Sequence, residues 1–173
     1  GTILLSASIG VLLMISQVGR WCAVRGSKPI VIISSYISAV TILPLAIAEN
    51  FLLLCLSFFI WGAFLTMQDV SMNTHASTVE HVEQKRYMSG FHGVFSVGAL
   101  LGGFIGGLCS QFEVSILKQN IGISIYFVIL ATLVKKWWLP AKTDILEYHR
   151  EKKVQRPTIL IFIGLLGLTS TIN

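Results

Sequence analysis

Long apolar stretches alternate with short polar ones along the chain, and their lengths predict helices that cross a membrane. A helix of about 20 apolar residues is needed to span the hydrocarbon core of a bilayer, which is about 30 Å thick. The predicted spans are residues 1–18, 30–48, 51–74, 88–110, 121–139 and 157–173. Pro44 interrupts the second span, which is tolerable inside a bundle. The pattern therefore predicts an all-α polytopic transmembrane helix bundle with five full spans and a truncated sixth.

The composition supports a membrane protein and excludes several other classes. Of 173 residues, 54% are hydrophobic and only 12% are charged, whereas soluble domains carry about 25% charged residues. This balance argues against a soluble enzyme, a disordered tail or a nucleic-acid-binding module. The three cysteines are far apart, and the chain has no Walker A, GxGxxG or GxSxG pattern. We therefore expect no metal site, no cofactor and no enzymatic activity.

The distribution of the cations predicts the orientation in the membrane. Twelve of the 13 Lys and Arg residues fall in the first, third and fifth connections, and only Lys118 falls in the other two. Positively charged loops stay in the cytoplasm. We therefore expect residues 19–29, 75–87 and 139–156 to be cytoplasmic and residue 1 to lie near the outer face. The segment 139–156 is charged throughout, which favours a solvated tether over a short surface helix.

Asp69 is the one carboxylate within a predicted span, where an ionisable side chain costs about 2.5–3.5 kcal/mol on insertion scales. At helical spacing it shares a polar stripe with Gly62, Thr66 and Asn73, opposite Phe59, Leu65 and Met67. We expect this stripe to face inward. Asp69 lies about 8–10 Å from the predicted cytoplasmic end at 1.5 Å per residue. It is therefore interpreted either as a substrate or proton site or as a structural carboxylate.

His92 begins a second stripe, on the fourth span, which includes Ser96 one turn further on. Because the third and fourth spans are antiparallel and joined by a short connection, Asp69 and His92 are expected at similar depth. A His–carboxylate pair there could relay protons, since histidine titrates near physiological pH. The alternative is an interfacial histidine that contacts lipid headgroups or a backbone carbonyl.

Glycines are dense on the fourth span, and their spacing predicts close helix packing. Small residues four apart let helix backbones approach each other in lipid. A helix that slides during a transport cycle and a helix that is packed tightly without motion both fit this pattern. The packing glycines are Gly98, Gly102, Gly103, Gly106 and Gly107.

The third connection contains two histidines and two glutamates but no HExxH motif. A metal site would need further ligands, and the other predicted cytoplasmic loops contain no second cluster of such residues. A solvated loop is the interpretation favoured for this segment. The four residues are His75, Glu80, His81 and Glu83.

Two stretches resemble the major facilitator superfamily of transporters. The segment 19–28 is similar to the cytoplasmic loop that follows the second helix in that family, which reads roughly G-x-L-a-D-R-x-G-R-K. Gly19, Gly26 and Lys28 match, and Arg25 lies one place after the position of the first arginine, while Ala23 occupies the position of the aspartate. The stretches Asp69-Val-Ser-Met-Asn73, Val79-Glu80, Met88-Ser-Gly-Phe-His92 and Phe95-Ser-Val-Gly98 resemble a bacterial branch of sugar-permease-like facilitators.

The resemblance implies a fragment that covers about helices two to seven of a twelve-helix transporter in a bacterial inner membrane. Residues 1–138 would then belong to the N-terminal half-bundle, 139–156 would join the halves, and 157–173 would begin the C-terminal half. The implied function is secondary transport of a small solute by alternating access, with or without protons. Asp69, Asn73 and His92, with Thr66 and Ser96, would line or gate the path, and residues 19–28 would form a gating loop. The implied partners are the lipid bilayer, the solute and the rest of the same chain.

Two other function classes are weighed against transport. A non-catalytic membrane assembly subunit would use the glycine-rich faces for helix docking. A membrane-embedded lipid enzyme would need two or more acidic or nucleophilic groups at one depth, and only Asp69 qualifies. A reading frame with one further helix upstream and six downstream would favour the transporter.

Overall fold

The computed structural model describes residues 1–143 and 145, and most of these residues are helical. Within this described part no strand occurs, and five helical segments are long and apolar enough to cross a membrane, with Ser27–Ile47 counted as one segment. The predicted all-α polytopic bundle is confirmed. The predicted span 157–173 and most of segment 139–156 lie outside the described residues. The helices are α1 Thr2–Arg25, α2 Ser27–Thr41, α3 Leu43–Ile47, α4 Phe51–Glu83, α5 Met88–Gln111 and α6 Ile116–Val134.

Two helices run well past the ends of their apolar stretches, so the first and third predicted connections are wrong as loops. α1 continues to Arg25, and Gly26 alone separates it from α2. α4 runs from Phe51 to Glu83. Asn50 caps its start, where the Asn50 side chain accepts a hydrogen bond from the Leu53 N–H at 2.9 Å, and the left-handed residue Gln84 follows its end. Hydropathy marks where a helix leaves the lipid, whereas the backbone stays helical until a residue such as Gly26 interrupts it.

α4 is the central helix, because it packs along α1 and also against α2. Two isolated glycines allow the close approach of α1 and α4. A Cβ added at Gly62 would lie 2.6 Å from the carbonyl oxygen of Ala7, and one added at Gly10 would strike the backbone of Phe59. The buried apolar cluster at this contact consists of Val18, Cys22, Ile30 and Met67.

Hydrogen bonds to backbone carbonyls fix α6 against the broken helix α2–α3. Pro44 lies in the first turn of α3, where its missing N–H costs little. The Asn120 side chain donates to the Ile42 carbonyl at 2.8 Å, next to this break, and the Ser124 hydroxyl donates to the Ala39 carbonyl. Polar side chains on a neighbouring helix thus satisfy backbone groups near a proline break, as membrane interiors require.

α5 differs from the other long helices because none of its residues is buried among the described part of the chain. It contacts α4 only to a small extent. A Cβ added at any of Gly98, Gly102, Gly103, Gly106 and Gly107 would meet no atom of the described structure within 4 Å. Close packing by these glycines therefore stays a prediction about partners outside the described residues.

Candidate functional site

A small cleft between α4 and α5 brings together the main site residues predicted from the sequence. Asp69 and Asn73 enter it from α4, and His92 enters it from α5. The cleft has a volume of about 110 Å³, and its apolar lining comes from Met72, Phe91 and Phe95. Asp69 and His92 thus line one cleft, although Asp69 lies 14 residues before the end of α4 and His92 lies four residues after the start of α5. The two residues are therefore not equally far from the connection between the helices.

The polar side chains of α4 in this cleft are bonded to each other. The Asn73 amide nitrogen donates to the Asp69 carboxylate oxygen Oδ1 at 3.1 Å and to the Asp69 carbonyl oxygen at 3.0 Å. This pair one helical turn apart holds the carboxylate beside the opening where His92 lies. A carboxylate, an amide and an imidazole in one small opening can bind a polar solute or exchange a proton.

The predicted inward-facing stripe of α4 needs correction. Gly62 and Thr66 are buried, but Asn73 is half-buried and Asp69 is exposed among the described residues. Met67, expected on the opposite face, is 6% exposed and belongs to the core. The reason is that α1 and α2 determine which face of α4 is buried, and the stripe of Asp69 lies at the edge of that face, toward α5.

The position of Asp69 along its helix also differs from the expectation. α4 extends to Glu83, so the helix continues for roughly 21 Å beyond Asp69 at 1.5 Å per residue. Thr66 is buried, and its hydroxyl donates to the Gly62 carbonyl at 2.8 Å. Ser96 is exposed, and its hydroxyl donates to the His92 carbonyl at 2.9 Å. Neither Thr66 nor Ser96 lines the cleft in the described structure.

A second polar cluster surrounds His75, which lies buried on α4, so the predicted solvated loop is wrong at this residue. The His75 side chain is only 4% exposed. Its Nε2 accepts a hydrogen bond from the Leu139 N–H at 3.2 Å, and its Nδ1 lies 2.6 Å from the Ser27 hydroxyl oxygen. Because the backbone N–H can only donate, Nε2 is the acceptor, and Nδ1 donates its hydrogen to Ser27. The Trp138 ring packs edge-on against the imidazole, with 4.7 Å between ring centroids.

The α1–α2 turn completes this cluster. Gly26 has φ 79° and ψ 158°, and its N–H donates to the Cys22 carbonyl at 2.8 Å. The Lys28 ammonium donates to the Trp138 carbonyl at 2.9 Å. Of the four residues predicted to form a gating loop, the structure therefore brings Gly26 and Lys28 against residues 138–141, while Gly19 and Arg25 are exposed on α1.

Glu80, also predicted to lie in the solvated loop, bonds instead to the backbone at the start of α5. One of its carboxylate oxygens, Oε1, accepts hydrogen bonds from the N–H groups of Tyr87 at 2.5 Å and Met88 at 2.6 Å. The helical spacing of Met67, Ser71 and His75 was a signal that the buried face of α4 continues beyond residue 74. No comparable signal marks Glu80, because its bonds depend on how the chain reverses at Gln84.

These features define an integral multi-pass membrane protein with a polar cleft between two of its helices. A family model for the Major Facilitator Superfamily matches residues 1–171. The chain belongs to this superfamily of transporters, which confirms the family resemblance of the sequence.

Two curated proteins are similar to parts of the chain. An uncharacterised MFS-type transporter of Yersinia pestis is 30% identical over 102 residues, which cover 59% of this chain and 27% of that protein. An uncharacterised transporter of Sinorhizobium fredii is 31% identical over 113 residues, which cover 65% of this chain and 30% of that protein. The chain thus spans less than a third of the length of these relatives. No solved structure gives a significant match.

Proposed function

We propose that this chain is part of a secondary transporter that moves a small solute across a bacterial inner membrane by alternating access, with proton coupling through the cleft between α4 and α5. Membership of the Major Facilitator Superfamily supports membrane transport as the general activity. The single observation that carries the finer proposal is the convergence of Asp69, Asn73 and His92 on one cleft.

The chemistry of the cleft suits a coupled solute and proton. Asp69 is negatively charged when ionised, and its carboxylate already accepts a hydrogen bond from Asn73. Protonation of Asp69 would remove that charge, and the His92 imidazole across the cleft has ring nitrogens that can donate or accept a hydrogen bond. If the cleft opens to one side of the membrane at a time, protonation of Asp69 is then linked to solute binding.

The orientation proposed for the transporter follows the distribution of its cations. The His75 cluster, the α4–α5 connection and the end of α6 would lie at the cytoplasmic face, because Lys28, Lys85, Arg86, Lys135 and Lys136 are at that end of the helices. The α1–α2 turn and residues 138–141 would then form part of the cytoplasmic gate.

The test is solute-driven proton movement in liposomes that contain the complete protein as its gene encodes it. A pH-sensitive dye inside the liposomes would report proton entry after addition of neutral sugars, sugar acids or amines. We expect Asp69→Asn to abolish the proton signal while the protein remains in the membrane at normal abundance. The matched control is Glu49→Gln, which removes an exposed carboxylate at the turn before α4. Wild-type uptake by Asp69→Asn at every pH would refute the proton role.

A further inference from the structure

We propose that Glu80 is a positioning residue of the transport site, which fixes the start of α5 against α4 and thereby holds His92 at the cleft that Asp69 and Asn73 share. The inference rests on the proposed function only in taking this cleft as the transport site. The position of His92 beside Asp69 and Asn73 depends on the contacts of Glu80 and on how the start of α5 is held against α4.

Glu80 is bonded to the start of α5. A single carboxylate oxygen accepts from two successive N–H groups, those of Tyr87 and Met88. Met88 is the first residue of α5, and Tyr87 immediately precedes it. The first N–H groups of a helix have no partner inside the helix, and they carry its positive dipole end. A carboxylate from the preceding helix therefore satisfies both donors and suits their charge.

Little else in the described structure holds this end of α5. Tyr87, in the capping position, makes no side-chain capping hydrogen bond, and no residue of α5 is buried within the described part of the chain. The connection between the helices passes through Gln84, a non-glycine residue with φ 53°. The two bonds of Glu80 thus tie the ends of this reversal together across Gln84, Lys85 and Arg86.

Glu80 lies on the same face of α4 as the residues that line the cleft. Asp69, Asn73 and Glu80 are separated by four and seven residues, which places all three on one face of α4. His92 follows Met88 by four residues and so lies one turn further along the same face of α5. The bonds of Glu80 and the cleft are therefore two parts of one α4–α5 interface, and the first part sets the position of the second.

The side chain at position 80 needs an oxygen with two acceptor sites and the length of glutamate. Glutamine keeps an amide oxygen with two lone pairs but loses the charge, whereas alanine keeps neither. The expected order of α5 positioning is therefore Glu first, Gln intermediate and Ala last. A residue that merely filled space at the surface would not give this order.

The experiment measures the α4–α5 distance by cross-linking in membranes, using the complete protein as its gene encodes it. The native Cys22, Cys55 and Cys109 are first replaced by serine or alanine. Met72→Cys and Phe91→Cys then place one thiol on each side of the cleft. We expect Glu80→Ala to slow oxidative cross-linking of this pair at least fivefold and Glu80→Gln to retain at least half the wild-type rate.

Two controls separate positioning from general loss of structure. Glu83→Ala removes another acidic residue near the end of α4 and should leave the rate unchanged. A second pair, Tyr36→Cys with Thr132→Cys, reports the α2–α6 contact, where the two native hydroxyls are 2.8 Å apart. Glu80→Ala should leave cross-linking of this second pair unchanged. Wild-type cross-linking at the cleft in Glu80→Ala, or equal slowing at both pairs, would overturn the inference.

The cross-linking result does not depend on transport, so this inference and the proposed function can fail separately. Slower cleft cross-linking in Glu80→Ala together with normal uptake by Asp69→Asn would retain the positioning role and refute the proton role. Normal cleft cross-linking in Glu80→Ala together with loss of uptake in Asp69→Asn would refute the positioning role and retain the proton role.

Discussion

Replacement of Gly26 by alanine should open the polar cluster between the α1–α2 turn and residues 138–141. Gly26 has φ 79° and ψ 158°, a conformation that is essentially restricted to glycine. An added Cβ would lie 2.6 Å from the carbonyl oxygen of Ala141 and 2.7 Å from its Cβ. Real Cβ atoms do not approach other atoms so closely, so either the turn or the Ala141 backbone must move.

The free-energy cost of Gly26→Ala has two parts, which are the strained backbone at position 26 and the contacts that are lost when Ala141 moves. An L-residue held in this backbone region costs about 1–3 kcal/mol. Displacement of Ala141 also weakens the neighbouring Lys28–Trp138 hydrogen bond, and a hydrogen bond from a charged donor contributes about 1.5–3 kcal/mol. We expect a total of about 3–5 kcal/mol, which corresponds to roughly a hundredfold or greater rise in local opening.

Cys22 provides the assay, because its thiol lies one turn before Gly26 and its side chain is 3% exposed. With Cys55 and Cys109 replaced by serine, maleimide should label Cys22 at least tenfold faster in Gly26→Ala than in wild-type membranes. The matched control is Gly19→Ala, also on α1, where an added Cβ meets no described atom within 4 Å. Equal labelling rates in Gly26→Ala and wild type would refute the reasoning about this turn.

Two further substitutions test other contacts of α4. His75→Ala removes the bonds to Ser27 and Leu139 and the ring contact with Trp138. We expect it to lower the free energy of unfolding by about 2–4 kcal/mol, measured by denaturant titration in detergent. His75→Gln should recover part of this loss. Gly62→Ala should force α1 and α4 apart and lower the thermal unfolding midpoint by several degrees, whereas Gly122→Ala, with open space around its Cα, should not. A midpoint as high in Gly62→Ala as in Gly122→Ala would contradict the close approach at Ala7.

The parts of the fold that hydropathy determines were predictable from the sequence. The five spans of the described residues follow from the length of each apolar stretch, and the convergence of Asp69 and His92 on one cleft agrees with two antiparallel helices joined by a short connection. The ends of the helices were not predictable in the same way. Residues 75–83 are polar, yet they continue α4, because hydropathy reports partition into lipid and does not report where a backbone stops being helical.

The glycines illustrate why packing was harder to predict than span number. Their density favoured α5 as the closely packed helix, but the close contacts of the described structure use the isolated Gly10 and Gly62. Close approach depends on which backbone lies opposite, here those of Phe59 and Ala7, and the count of glycines on one helix does not contain that information. His75 was missed for the same reason, since its partners Ser27 and Leu139 are distant in sequence.

The extension of α4 beyond residue 74 carries two polar clusters of the described structure, the contacts of His75 and those of Glu80. His75 and Glu80 are five residues apart, so their side chains leave the helix about 140° from each other. His75 binds the α1–α2 turn and residue 139, whereas Glu80 binds the start of α5. Because opposite sides of one rigid helix carry these contacts, α5 can move at the cleft only if the bonds of Glu80 change, while the His75 cluster keeps α4 fixed to α2. The cleft is thus bounded by one firmly held helix and one lightly held helix, and we expect α5 to be the helix that moves.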